Sequence, residues 1–226
     1  MFARETIREQ GFVVIPGVFG KDEITQLLGD LEQAPWPSSR AGIRHALKHG
    51  SIASLASDSR LLSVARAVLG DEARPFRATH FNKSRESNWL VAWHQDTSLP
   101  LRQRRETPGS GPWSIKAGVI YAHAPASALS KVLTFRVHLD GCARDSWPLR
   151  VLPGTHRLGV LSDEEIHRLT QDLSAVDCVA AKGEVLAMRP LLVHSSSKIQ
   201  TETPRRVLHI KYAACTAFDG LELAVA

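Results

Sequence analysis

Residues 93–96 read Trp93-His94-Gln95-Asp96, and about a hundred residues later Val193-His194-Ser195 places a second histidine in another apolar run. Two imidazoles and one carboxylate are the donor set that holds non-haem Fe(II) on one face of an octahedron, leaving the other positions open to a co-substrate and oxygen. The spacing has a physical reason. On an extended strand residues i and i+2 point to the same side, so His94 and Asp96 converge while Gln95 turns away or crosses the rim. His194 must then come from a strand that packs close by. Oxygenase chemistry is therefore the leading expectation, with His94, Asp96 and His194 as metal ligands and catalytic centre.

Arg205 stands 11 positions beyond His194, just after Thr203-Pro204 and at the opening of the strand Arg206–Ile210. An arginine fixed there pairs bidentately with a carboxylate, which lysine cannot do with the same geometry. A dicarboxylate that chelates a metal at one end needs such an anchor at the other. The alternative is a surface arginine at a strand end, of which Arg206 would be a second instance. Adjacent strand residues face opposite ways, so at most one of the two anchors an acid. The other eight of the ten histidines are read as surface or satisfied core residues.

These groups need a scaffold. Gly11-Phe12-Val13-Val14-Ile15-Pro16-Gly17 is a β-branched run closed by a turn signal and predicts an early strand. Ile24, Leu27, Leu28 and Leu31 follow i, i+3, i+4, i+7, the stripe of an amphipathic helix starting near Lys21. A second helix is predicted from an N-cap at Asp58 to a C-cap at Gly70, and Pro35–Gly50 reads as irregular surface. From Arg74 onward short β-branched and aromatic runs recur between turn residues. They are Phe76–Phe81, Trp89–Trp93, Ile115–Tyr121, Val132–Leu139, Arg150–Leu152, Glu184–Met188, Leu191–His194 and Val207–Ala213. One interruption, Ser162-Asp163-Glu164-Glu165, matches a capping box that opens a short helix. Eight strands in two sheets describe a jelly roll, the cupin-like double-stranded β-helix, mainly β with flanking N-terminal helices. We expect one domain over residues 1–226, with a helical part to about residue 72 and the jelly-roll core over about 74–215.

Composition narrows the function classes. At 226 residues, 43% hydrophobic and 23% charged, the chain reads as a soluble globular protein rather than a disordered one. No apolar stretch approaches the roughly 20 residues needed to cross a bilayer, and the N-terminus lacks a secretory signal pattern. Three widely spaced cysteines (Cys142, Cys178, Cys215) argue against a disulfide framework and for a reducing, cytoplasmic setting. The net charge of +5 is dispersed apart from Arg102, Arg104 and Arg105, so no nucleic-acid partner is expected.

Taken together, the motifs resemble the phytanoyl-CoA dioxygenase family of Fe(II)- and 2-oxoglutarate-dependent oxygenases. The resemblance spans nearly the whole chain. It includes Gly11–Ile15, Phe81-Asn82-Lys83, Trp93–Asp96, Leu139-Asp140-Gly141 and the long motif Pro148–His156. It closes with Gly183-Glu184-Val185, Pro190–Ser196 and Arg205. It implies that His94, Asp96 and His194 bind iron, that Arg205 grips the distal carboxylate of 2-oxoglutarate, and that Ser196 hydrogen-bonds the same end. Gln95 and Trp113 resemble family positions that line the co-substrate, Lys83 lies in a matching motif without an assigned role, and His156 belongs to a structural turn. The sequence departs from the family where Ser146-Trp147 stand in place of a frequent Asn-Gly. Trp147 either closes a substrate pocket or packs on the surface.

The implied reaction consumes O2 and 2-oxoglutarate, releases succinate and carbon dioxide, and oxidises a C–H bond of a small-molecule substrate. Relatives that halogenate carry a small residue at the carboxylate position, so Asp96 argues for hydroxylation; desaturation, ring formation and epimerisation stay open. Trp89, Trp93 and Trp113 are either substrate walls or ordinary core. Arg136 alternates with Thr134 and His138, and this face looks either into the barrel toward an acidic substrate or out to solvent. A non-catalytic cupin-like metal or small-molecule binding protein is the competing class, and a pure scaffold has no need of Arg205.

Overall fold

The computed structural model describes residues 2–36, 42–85, 87–144, 147–198, 203–218 and 220–225. Its first part runs α1 (Phe2–Gln10), β1 (Phe12–Ile15), α2 (Lys21–Glu32), β2 (Ile43–Arg44), α3 (Gly50–Ala56) and α4 (Ser59–Leu69). Then come β3 (Arg74–Lys83), β4 (Val91–His94), β5 (Ser98–Leu101), β6 (Trp113–Lys116), β7 (Val119–His123), α5 (Ala126–Leu129) and β8 (Val132–His138). The remainder is β9 (Leu149–Val151), α6 (Asp163–Asp172), β10 (Val176–Cys178), β11 (Val185–Met188), β12 (His194–Ser196), β13 (Arg205–Ala213), β14 (Ala217–Phe218) and β15 (Leu221–Glu222).

A six-stranded sheet has the order β1-β11-β8-β13-β3-β2, and a four-stranded sheet the order β10-β9-β12-β4. A three-stranded sheet, β5-β7-β6, and the hairpin β14-β15 complete the β structure. The central strand β13 shows how the sequence divides the large sheet into two faces. Leu208, Ile210 and Tyr212 are fully buried in one cluster with Ile24, Leu31, Ile52 and Leu61 of the helices. Each such aliphatic side chain contributes about 1.5–3 kcal/mol by leaving water. The Tyr212 hydroxyl donates to Ala56 O at 2.6 Å, tying α3 to the sheet. Residues of opposite parity, Arg205, Val207, His209 and Lys211, line a cavity instead.

The predicted helices appear with their caps. The Asp58 side chain accepts from Arg60 N, Gly70 closes α4, and Ser162 and Glu165 form the capping box of α6. Four expectations need correction. Ile115–Tyr121 is not one strand, because Ala117 (φ 49°) and Gly118 (φ 77°) turn the chain between β6 and β7. His194 opens β12 rather than ending a strand, since Leu191 and Leu192 lie in the turn before it. Within Pro35–Gly50, residues 37–41 lie outside the described residues; beyond them β2 pairs with β3, and Ala46 is fully buried. The N-terminal part is also not only helical: the expected early strand is present as β1, and it and the unexpected β2 form the two edges of the large sheet. Sequence reading had no expectation for α1, which buries only Ile7, or for β5. No helix among the described residues is long and apolar enough to cross a membrane.

Candidate metal centre and co-substrate cradle

β4 and β12 pair antiparallel with His94 directly opposite His194. Directly opposed residues hold their side chains within about 5 Å of one another, and the two imidazole centroids are 4.2 Å apart. Asp96 follows just beyond β4, its backbone N–H donating to Pro190 O at 2.8 Å. One ligand atom from each of His94, Asp96 and His194 falls within 4.8 Å of the other two. Both rings are oriented alike, with His94 Nδ1 facing Ala92 O and His194 Nδ1 facing Leu192 O, each at 2.8 Å. A carbonyl only accepts, so each Nδ1 carries the proton and each Nε2 offers a lone pair. Burial, reinforced by His94, pushes His194 down to about 3, so it stays neutral at neutral pH. Two imidazoles oriented by such outer bonds, beside one carboxylate, fit an Fe(II) ion.

The second carboxylate oxygen of Asp96 faces β13. Lys211 Nζ lies 3.2 Å and His209 Nε2 3.5 Å from Oδ2. Burial alone would raise this carboxyl, but the Lys211 ammonium and His209 outweigh it and hold Asp96 well below the ordinary carboxylate range. Burial also keeps His209 neutral, pushed down to about 4. Its Nδ1 sits 3.2 Å from Arg136 Nη1 and accepts from that guanidinium. The polar face of β8 therefore looks into the barrel.

At the other end of the cavity three groups converge. Ser196 Oγ accepts from Arg205 Nη2 at 2.6 Å and from Lys83 Nζ at 2.9 Å. A serine hydroxyl has two acceptor sites and one proton. With both acceptor sites occupied by cations, its own O–H is left to donate. Arg205 also donates to the carbonyl of Trp147, and Lys83 to Ser197 O at 3.0 Å. Both cations are buried, at 5% and 4% exposure, with no carboxylate partner among the described residues. This is a cradle for an acid. Arg206 faces the opposite way and pairs with Asp140 at 2.9 Å and Glu32 at 3.2 Å.

Lys83 gives the cradle a pH response. Burial, then Arg205 and Arg136, push its ammonium down to about 7. A dicarboxylate binds the protonated form, so its affinity is full below that value and falls as pH rises through it. We expect the dissociation constant of 2-oxoglutarate to rise by up to about tenfold per pH unit above about 7. Titrations between pH 6 and 9 test this; a flat wild-type profile, or the same slope in Lys83→Met, would remove Lys83 from the cradle.

Of the two residues expected to line the co-substrate, Gln95 borders the cavity and Trp113 does not. The Gln95 amide reaches the cavity edge but is satisfied by backbone: Nε2 donates to Leu191 O (2.8 Å) and Gly159 O (2.9 Å), and Leu161 N donates to Oε1 (2.8 Å). Gln95 thus braces the segment between the ligand residues, as the opposite parity of its neighbours requires. Its replacement by alanine leaves buried backbone groups unpaired and should lower stability by about 2–4 kcal/mol in denaturant titrations. Trp113 lies on β6, away from the cavity lining, packed in the cluster around Leu99 and Leu129 and donating to Glu106. Of the remaining tryptophans, Trp89 lines the cavity, whereas Trp93 packs against Val193 and Ile166. Trp147 is 39% exposed and reaches the cradle only through its backbone carbonyl; Ser146 lies outside the described residues. His156 sits in a short turn with Nε2 3.1 Å from Arg8 O, as its structural reading required.

Sequence reading assigned no role to Lys83, His209 or Lys211 and left Arg136 undecided. A signal was present: polar groups at alternate positions of an otherwise apolar strand.

A family model described as Phytanoyl-CoA dioxygenase (PhyH) matches residues 7–207. Among solved structures, EctD from S. alaskensis with 2-oxoglutarate and 5-hydroxyectoine is 21% identical, the match covering 93% of this chain and 74% of that one at a TM-score of 0.71. The epimerase SnoN in complex with Fe3+, alpha ketoglutarate and nogalamycin RO is 19% identical over 95% of this chain and 83% of that one, with a TM-score of 0.70. AviO1 from Streptomyces viridochromogenes Tue57 is 20% identical over 94% and 93%, with a TM-score of 0.67. No curated protein matches the chain significantly. The shared fold is the cupin-like double-stranded β-helix.

Proposed function

Because the chain belongs to the phytanoyl-CoA dioxygenase family, we propose that it is an Fe(II)- and 2-oxoglutarate-dependent dioxygenase that hydroxylates an unactivated C–H bond of a small molecule, with release of succinate and carbon dioxide. One observation carries the reading. The triad His94, Asp96 and His194 and the acid cradle of Ser196, Lys83 and Arg205 open into the same cavity of about 400 Å³. A pure metal scaffold needs the first and has no use for the second.

The two histidines, through Nε2, and one carboxylate oxygen of Asp96 would hold the metal. Lys211 and His209 fix the other oxygen, so the carboxylate does not swing away. Arg205, Lys83 and the Ser196 hydroxyl take the distal carboxylate of 2-oxoglutarate and thereby set the direction of its keto acid end. Phe81, Trp89, Val91 and Leu149 form apolar walls that exclude water from the reacting volume. When bound, iron and 2-oxoglutarate supply the oxidising chemistry, and the protein supplies orientation.

The test is an anaerobic titration of 2-oxoglutarate into Fe(II)-loaded protein, followed by the weak visible metal-to-ligand charge-transfer band of the chelate. A saturable band is expected; none, with metal demonstrably bound, would favour the binding-scaffold reading. Product analysis then separates outcomes, since hydroxylation adds one oxygen, desaturation removes two hydrogens and epimerisation leaves the mass unchanged.

A further inference from the structure

We propose that the primary substrate is a compact organic anion whose carboxylate or phosphate ester is held by Arg77, Lys116 and Arg44 against the hydroxyl of Tyr121. This rests on the oxygenase reading, because it names the substrate of the same cavity.

The two ends of β3 carry different cations. Lys83 belongs to the co-substrate cradle, and Arg77 stands six residues away, about 20 Å along an extended strand. Arg77 is the register partner of Lys211, whose ammonium contacts Asp96. Arg77 therefore lies toward the Asp96 side of the cavity, remote from the cradle.

Among the described residues, no carboxylate lies within ion-pair distance of the cations at that end. Arg77 is 7% exposed, and no carboxylate among the described residues pairs with it, with Lys116 or with Arg44. Its guanidinium lies 4.8 Å from the Tyr121 ring centroid, and Lys116 Nζ lies 5.1 Å from the same ring. Tyr121 itself is 4% exposed, yet its buried hydroxyl has no hydrogen-bond partner among the described residues. A buried tyrosine hydroxyl normally finds a partner, and a buried cation is normally paired. Here three cations and an orphan hydroxyl border one cavity with Arg44 at its exposed rim. Folding alone does not favour such an arrangement, because the cations repel one another and Arg77 loses hydration.

The only carboxylate lining the cavity among the described residues is Asp96, already engaged by Lys211 and His209. The distal acid of 2-oxoglutarate goes to the Ser196 end, so it does not neutralise Arg77. A second anion does. The cavity is at the small end of the range for ligand sites and must also hold the co-substrate, so this anion is compact. The oxidised C–H bond then lies only a few bonds from the anionic group.

Inorganic phosphate and acetate serve as probes, titrated calorimetrically into anaerobic protein saturated with Fe(II) and 2-oxoglutarate. At least one should bind, and the preferred ion distinguishes a phosphate ester from a carboxylate. Arg77→Gln should weaken binding by about tenfold or more, and Arg44→Gln by about two- to fivefold, with the charge-transfer band unchanged. Arg44→Gln, at the exposed rim, keeps the test decisive if Arg77→Gln does not fold. An intact band with no ion bound, or with equal binding in wild type and variants, would overturn the anionic-substrate assignment alone. Loss of the band in metal-loaded wild type would overturn the oxygenase reading, and this assignment with it.

Discussion

His94→Ala should lose both iron and turnover. The substitution removes one of three protein donors, and the remaining pair, Asp96 and His194, cannot define one face of an octahedron. Outer partners of a metal ligand alone are worth about 10- to 100-fold in affinity, so loss of a ligand should exceed about 100-fold. His94 is only half-buried, on β4 at the cavity edge, so its removal leaves the core clusters intact. The variant should therefore fold, which circular dichroism can verify. Metal analysis after equilibrium dialysis gives the answer directly, and retained iron at full occupancy would sink the ligand set.

Arg205→Ala should separate the metal site from the co-substrate site. Iron binding should persist, because Arg205 touches no member of the triad. Affinity for 2-oxoglutarate should fall by about 30- to 1000-fold, the effect of about 2–4 kcal/mol expected when one partner of a buried, hydrogen-bonded charge pair is truncated. Lys83 and Ser196 retain part of the cradle, so binding should not vanish. Arg205→Lys provides a sharper control, since it keeps the charge and loses the planar fork. It should fall between wild type and alanine in the anaerobic titration. Unchanged affinity in Arg205→Ala would mean that the anchor is elsewhere, with Lys83 and Arg136 the other cations on that part of the cavity wall.

The two experiments probe different requirements. A ligand set needs donor atoms at short mutual distance, and the cradle needs buried cations without an internal carboxylate partner. Both conditions are met by the same device. Strands whose residues alternate send one parity to the helices and the other into the barrel.

Much of this was legible in the chain itself. The His94-x-Asp96 spacing is meaningful because a strand repeats every two residues, and the stripe from Ile24 to Leu31 because a helix repeats every 3.6. Caps at Asp58 and Ser162 are local chemistry between a side chain and the next few backbone amides, so they survive in any context. The opposed facing of Arg205 and Arg206 follows from the same alternation. These are short-range rules, and sequence states them directly.

Other features were decided only by tertiary structure. No local rule pairs His94 with His194, because register across strands about a hundred residues apart depends on how two sheets close. Trp113 shows the reverse: its motif context suggested a place beside the co-substrate, but it packs in a separate cluster. The convergence of Lys83 and Arg205 on Ser196, and of Arg77, Lys116 and Arg44 near Tyr121, brings together charges from strands distant in the chain. Sequence records which charges are present. Whether a charge is buried, and whether it meets a counter-charge there, is a property of the space between strands, and only the folded chain encloses that space.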